Sequence, residues 1–145
     1  MANRVRVSDL DFVYISYKEP NKEHNWADLK SKVPWAKRVD GVVGFDNAHK
    51  AAADIAETDF FISIDGDNII DESFLLQTLD WSKTNKKSVH RWRARNNING
   101  LVYGNGGIVG WDWVRIRTSS CLCSSGRKRL GIGTDNSLYF LGLKV

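Results

Sequence analysis

Asp65 and Asp67 are separated only by Gly66. They follow the apolar run Phe60-Phe-Ile-Ser-Ile64, and no basic residue is among their sequence neighbours. Two carboxylates this close repel each other unless a positive charge joins them. A hard cation with oxygen ligands is the natural partner, and Mg²⁺ or Mn²⁺ keeps part of its water shell and bridges to a diphosphate. Gly66 removes side-chain bulk where such a ligand must approach. A metal held there acts as a Lewis acid toward negative charge developing on a departing group. The alternative is a solvated Asp-Gly turn that closes a strand.

The surrounding elements have to place this turn. Asp11-Phe-Val-Tyr-Ile-Ser-Tyr17 is rich in β-branched and aromatic residues and ends at Lys18-Glu-Pro-Asn21, which predicts a buried strand and a loop. Asn25 is the expected cap of a short helix through Trp26, Leu29 and Lys30, stopped by Pro34, with a second strand within Ala36 to Val43. Ala48, Ala51, Ala52, Ile55 and Ala56 follow the spacing of one helical face, with Asp46 as the expected N-cap. Phe60 to Ile64 is apolar enough for a central parallel strand covered on both faces. Asp71 is expected to cap a further helix carrying Phe74, Leu75 and Leu79, and Ser88 to Trp92 to form another strand. Alternation of this kind implies an α/β sandwich whose ligands sit beyond the carboxyl ends of the strands, where Asp65 and Asp67 lie.

The run Gly44-Phe-Asp-Asn-Ala-His-Lys-Ala-Ala-Ala-Asp-Ile-Ala-Glu-Thr-Asp-Phe-Phe-Ile-Ser-Ile-Asp-Gly-Asp-Asn68 resembles family-2 glycosyltransferases. In that family a glycine leads into an alanine-containing helix, a short turn, an apolar strand and a DxD motif. Val13-Tyr-Ile-Ser-Tyr-Lys-Glu-Pro-Asn21 is similar to the family's first strand and nucleoside-contacting loop. The resemblance covers roughly residues 11 to 110. It implies a GT-A (Rossmann-like), mostly parallel sheet with helices on both faces, a nucleoside-diphosphate sugar donor, an acceptor of unknown identity, and Mn²⁺ or Mg²⁺ as cofactor. By the same resemblance Asp65 and Asp67 match the metal motif, Tyr17 and Glu19 the nucleoside loop, and Asp40 an aspartate after strand two that contacts the base.

Other positions depart from the family. His49-Lys50 replaces its usual Arg-Asn and either meets phosphate or ribose or faces solvent. Tyr103-Gly-Asn-Gly-Gly107 is similar to the acceptor-side segment, and taken alone it equally reads as a turn. The family's later Glu-Asp general-base pair is missing. Asp112 and Asp135 are the only carboxylates after Asp80, so Asp112 is a catalytic candidate whose alternative is a structural role. Trp92, Trp111 and Trp113 could stack on a sugar ring, with core packing the expectation for at least two of them. His24 and His90 are expected at the surface.

With 145 residues and 42% hydrophobic content, the chain suits one domain with a real core. Residues 1–113 are expected to form the nucleotide-sugar-binding domain, truncated at its C-terminal side, and residues 114–145 an atypical tail. A premature end or a shifted reading frame would account for such a tail. No apolar run reaches the roughly 18 residues of a membrane span, and Met1-Ala-Asn-Arg-Val-Arg6 does not begin a signal peptide, so a cytoplasmic protein is expected. Cys121 and Cys123 are too close for an unstrained mutual disulfide and are expected as free thiols. The net charge of +4 gathers in the C-terminal half, where a small phosphorylated ligand accounts for it as well as nucleic acid would, and nucleic acid is not the expected partner. Two other readings stay open. One is a sugar-nucleotide-binding module without transfer activity. The other is a phosphatase of the haloacid dehalogenase type, whose nucleophile also lies in a DxD motif after an apolar strand.

Overall fold

A computed structural model describes residues 3–118, apart from the side chains at 103–106, 115, 117 and 118. The expectations for Cys121, Cys123, Asp135 and most of the 114–145 tail lie outside the described residues. The elements are β1 (Arg4–Arg6), β2 (Asp11–Ser16), α1 (Lys22–Lys32), β3 (Lys37–Asp40), α2 (Phe45–Ile55), β4 (Phe60–Asp65), β5 (Asn68–Ile69), β6 (Thr78–Asp80), β7 (His90–Asn96), β8 (Val102–Asp112) and α3 (Trp113–Thr118).

The protein is mixed α/β. One sheet has the order β3-β2-β4-β8-β7-β5, and β1 pairs with β6 in a separate two-stranded ribbon. Strand β2 is parallel to both β3 and β4, whereas the β4–β8, β8–β7 and β7–β5 pairings are antiparallel. The expected mostly parallel sheet is therefore parallel only in its N-terminal half. The short turn 97–101 returns β8 antiparallel to β7, and β8 then inserts beside β4 in the antiparallel sense through a long-range pairing.

The glycine-rich segment read as a turn is itself strand β8. Its glycines make room for neighbours, since a Cβ on Gly110 would stand 2.5 Å from the Phe60 ring and 3.0 Å from Trp92. The packed fold also continues beyond residue 113, because Ile116 of α3 is fully buried.

Strand alternation divides the core between the two faces of the sheet. Phe12, Tyr14, Phe60, Ile62 and Ile64 pack with Leu29 of α1 and with Phe74, Leu79 and Trp92. Val13, Phe61, Val109 and Trp111 pack with Ala52 and Ala53 of α2 and Ile116 of α3. Helices therefore cover both faces. Of the expected face of α2, Ala48 and Ala52 are buried and Ala51 and Ala56 partly so, but Ile55 is exposed, because the face against the sheet is rotated toward His49 and Ala53.

Three local expectations change. Helix α1 begins at Lys22, which places Asn25 inside it and buried instead of at its cap. Helix α2 is capped by Gly44 at φ 91°, a left-handed value that favours glycine, and Asp46 falls in its first turn. Asp71 does act as a cap, with its Oδ1 accepting from the Ser73 N–H at 2.8 Å. What it caps is a single 3₁₀ turn, Glu72–Leu76, because Thr78–Asp80 leaves to pair with β1. Among the described residues, no helix is long and apolar enough to cross a membrane.

Candidate functional site

Because β2, β3 and β4 run parallel, their carboxyl ends open on the same edge of the sheet. Tyr17 and Glu19 follow β2, Asp65 ends β4, and Asp67 lies in the turn after it. All four line one cleft of about 380 Å³ together with Phe45 and His49 of α2. Asp40 ends β3 but stands one step behind the cleft wall. Its Oδ1 accepts from Ser16 Oγ at 2.6 Å and from Lys22 Nζ at 2.8 Å, and Ser16 lines the cleft. Asp112 is at the opposite edge, paired with Phe60 at the start of β4, roughly 17 Å along the strand from Asp65. The structure does not bring it to the other candidates.

Three carboxylates therefore share one cleft. Glu19 Oε2 accepts from the Tyr17 N–H at 2.7 Å, which turns the side chain back over the Asp-Gly-Asp turn. Desolvation at the base of the cleft, together with the charges of Asp67 and Glu19, pushes the Asp65 carboxyl up to about 7. Arg91 of β7 opposes that shift, and desolvation in turn holds its guanidinium below the usual range. None of Glu19, Asp65 and Asp67 forms an ion pair with a described residue. The backbone of β8 floors the site, since a Cβ on Gly107 would stand 2.5 Å from Asp65 Oδ2.

A set of asparagines holds the turn from behind. Asn68 Nδ2 donates to Asp67 Oδ1 at 2.8 Å, and Asn96 Nδ2 donates to Asp67 Oδ2 at 2.5 Å. The Asn97 N–H donates to the Asp67 carbonyl at 2.7 Å. Asn25 Nδ2 donates to the Gly66 carbonyl at 3.0 Å, while its Oδ1 accepts from Asn97 Nδ2 at 2.7 Å. The buried Tyr14 hydroxyl lies 2.7 Å from the same Gly66 oxygen, and its pKa is raised, chiefly by burial.

Sequence reasoning missed Arg91 and this asparagine set. The four asparagines come from α1, β5, β7 and the turn after it, so no sequence spacing links them. The face of β7 that Arg91 occupies is known only once the strand is paired.

His49 does not face solvent. It is buried against Phe45, with ring centroids 4.1 Å apart and Nδ1 2.9 Å from the Phe45 carbonyl oxygen, and burial holds its imidazole below the usual range. His90, expected at the surface, is fully buried among the rings of Phe60, Trp81 and Trp92, because strand alternation turns it into the core beside Trp92. His24 is exposed, as expected. Trp92 and Trp111 belong to the core, and Trp113 donates its Nε1–H to the Ala53 carbonyl at 2.8 Å, so the three do not form a wall for a sugar ring.

Among the described residues, no group of three or more His, Cys, Asp or Glu side chains forms a ready metal cage. A hard cation held by one or two carboxylates, its own waters and a ligand's phosphate oxygens needs no such cage. Asp65 and Asp67 fit that arrangement: both supply oxygen donors, Asp65 is desolvated beside like charges, and each Asp67 oxygen accepts one amide and keeps a lone pair. No family model, curated protein or solved structure matches the chain.

Proposed function

We propose that this chain is the nucleotide-sugar-binding part of a metal-dependent glycosyltransferase of GT-A type, with Asp65 and Asp67 as the carboxylates that hold Mn²⁺ or Mg²⁺. The observation that carries this reading is the convergence of Asp65, Asp67 and Glu19 on one open cleft, with no ion-pairing partner among the described residues. A cluster of that sign at the carboxyl ends of parallel strands calls for a cation, and an open cleft suits a cation shared with a phosphate-bearing ligand. When bound, the metal would supply charge neutralisation for the departing diphosphate. The residues themselves would bind and orient: Tyr17 and Glu19 flank the nucleoside, His49 and Phe45 wall the cleft from α2, and Asp40 positions Ser16 from behind. The resemblance of Gly44 to Asn68 to family-2 glycosyltransferases supplies the reaction class.

The position of Asp112 supports a second reading, a module that binds the sugar nucleotide without transferring the sugar. A general base must reach the acceptor hydroxyl within hydrogen-bonding distance, and Asp112 stands at the far edge of the sheet. Transfer to any acceptor would exclude this reading.

The test is calorimetric titration of a panel of nucleotide sugars into the wild type and Asp67→Asn, each with Mn²⁺ and with EDTA. We expect binding of one donor that requires Mn²⁺ and falls by about tenfold or more in the variant. Equal affinity of a bound donor in all four conditions would make the Asp-Gly-Asp turn structural.

A further inference from the structure

The geometry assigns Asn68 and Asn96 as positioning residues that clamp the Asp67 carboxylate, one amide on each oxygen, and so set the direction in which it faces a divalent cation. This inference rests on the metal-binding reading proposed above and names the residues that would make that site selective in its geometry.

A carboxylate on a two-bond stem rotates freely unless both oxygens are held. Here Asn68 Nδ2 holds Oδ1 at 2.8 Å and Asn96 Nδ2 holds Oδ2 at 2.5 Å. Both asparagines are buried, so neither amide exchanges readily with water. Amide N–H groups are donors without charge, so they fix the carboxylate while leaving its negative charge for a cation. A lysine or arginine in the same places would neutralise it.

The clamp is itself braced. Asn96 Oδ1 accepts from the Ile98 N–H at 2.8 Å and from the Asn99 N–H at 3.3 Å, an Asx-type turn that locks the amide plane with its donor toward Asp67. The Asn97 N–H holds the Asp67 carbonyl, so side chain and backbone of Asp67 are tied to the same β7–β8 turn. Asp65 has no such amide grip among the described hydrogen bonds, and the two carboxylates of one turn are therefore held differently.

The test compares wild type, Asn96→Ser, Asn68→Ala, Asp67→Asn and the Asn96→Ser/Asp67→Asn double variant. Mn²⁺ alone is the probe, with free ion followed by electron paramagnetic resonance and thermal midpoints recorded in EDTA. Serine keeps an oxygen acceptor for the Ile98 N–H but is too short to reach Asp67. Removing a partner that orients a metal ligand costs about 10- to 100-fold in metal affinity. We expect a loss of that size in Asn96→Ser at a nearly unchanged midpoint, a loss in the same direction in Asn68→Ala, and no further loss when Asn96→Ser is added to Asp67→Asn.

Wild-type Mn²⁺ affinity in both asparagine variants would overturn the clamp while leaving the metal site standing. Additive losses in the double variant would also overturn it, because Asn96 would then act without Asp67. No Mn²⁺ binding by the wild type would overturn the metal site and the clamp together.

Discussion

The Glu19 carboxylate lies over Gly66, with Oε2 2.7 Å from where a Cβ on that glycine would stand. Glu19, in the loop after β2, and the acidic turn after β4 thus close on each other across one glycine, and Ser16 Cβ would be 3.1 Å from the same point.

Gly66→Ala is therefore expected to push the Glu19 side chain off the Tyr17 N–H and open the cleft. The carboxylate is the mobile end of a long side chain and can swing away, whereas Ser16 sits on a strand and must yield. A modest loss of stability, about 1 to 3 kcal/mol as in other overpacked sites, should come with weaker nucleotide-sugar binding. Urea unfolding and calorimetry on the same variant measure the two effects. Unchanged binding would remove Glu19 from the cleft's working surface.

The pH dependence of stability should carry the mark of Asp65, whose carboxyl is raised from 3.8 to about 7 by desolvation and then by Asp67 and Glu19. Below pH about 4 the group is protonated in both folded and unfolded chains and contributes nothing. Between about 4 and 7 the unfolded chain loses this proton while the folded chain keeps it, so stability falls as pH rises, by a few kcal/mol in all. Above about 7 the full penalty is present. Asp65→Asn should flatten this slope, and Mn²⁺ should restore stability at pH 8, both read from chemical denaturation across the pH range. An unaltered slope in Asp65→Asn would refute the assignment to Asp65.

Asp40 is held well below the ordinary carboxylate range, to about 2, by hydrogen bonds first from Lys22 and then from Ser16. It is therefore ionised at any pH above about 4, and its effect on binding should not vary there. Asp40→Ala removes the acceptor of the Ser16 hydroxyl, which lines the cleft, and is expected to weaken nucleoside diphosphate binding by about tenfold. Calorimetry at pH 6 and pH 8 should give the same deficit. Wild-type affinity at both pH values would separate Asp40 from the site.

Trp111 donates its indole N–H to Ser63 Oγ at 2.9 Å, with both residues buried. Trp111→Phe removes the donor, leaves Ser63 under-satisfied and opens a cavity between the sheet and α2. The hydrogen-bond loss alone is expected to cost about 1 to 3 kcal/mol in urea unfolding, with the cavity adding to it. A cost below about 0.5 kcal/mol would mean that this pair is exposed to water in solution.

Local and periodic features were legible in the chain alone. Phe60 to Ile64, apolar but for Ser63, became a strand buried on both faces; the alanine spacing of α2 located its sheet-facing side at Ala48 and Ala52; and Asp65-Gly66-Asp67 was legible as an acidic turn because its charges are close in the chain. Long-range pairing was decided only in the tertiary structure. The glycines of Tyr103 to Gly107 read as turn formers, yet Gly107 lies in a strand with Asp65 and Asn68 crowded against it, and that crowding has no signature in neighbouring residues. The direction of β8 fixed where Asp112 stands, and the register of β7 put His90 in the core. Asn25, Asn68 and the pair Asn96-Asn97 carry no periodic signal and stand far from one another in sequence. They meet because α1, the β4–β5 turn and the β7–β8 turn converge on the backbone of Gly66 and Asp67, whose polar groups must find partners once they leave water.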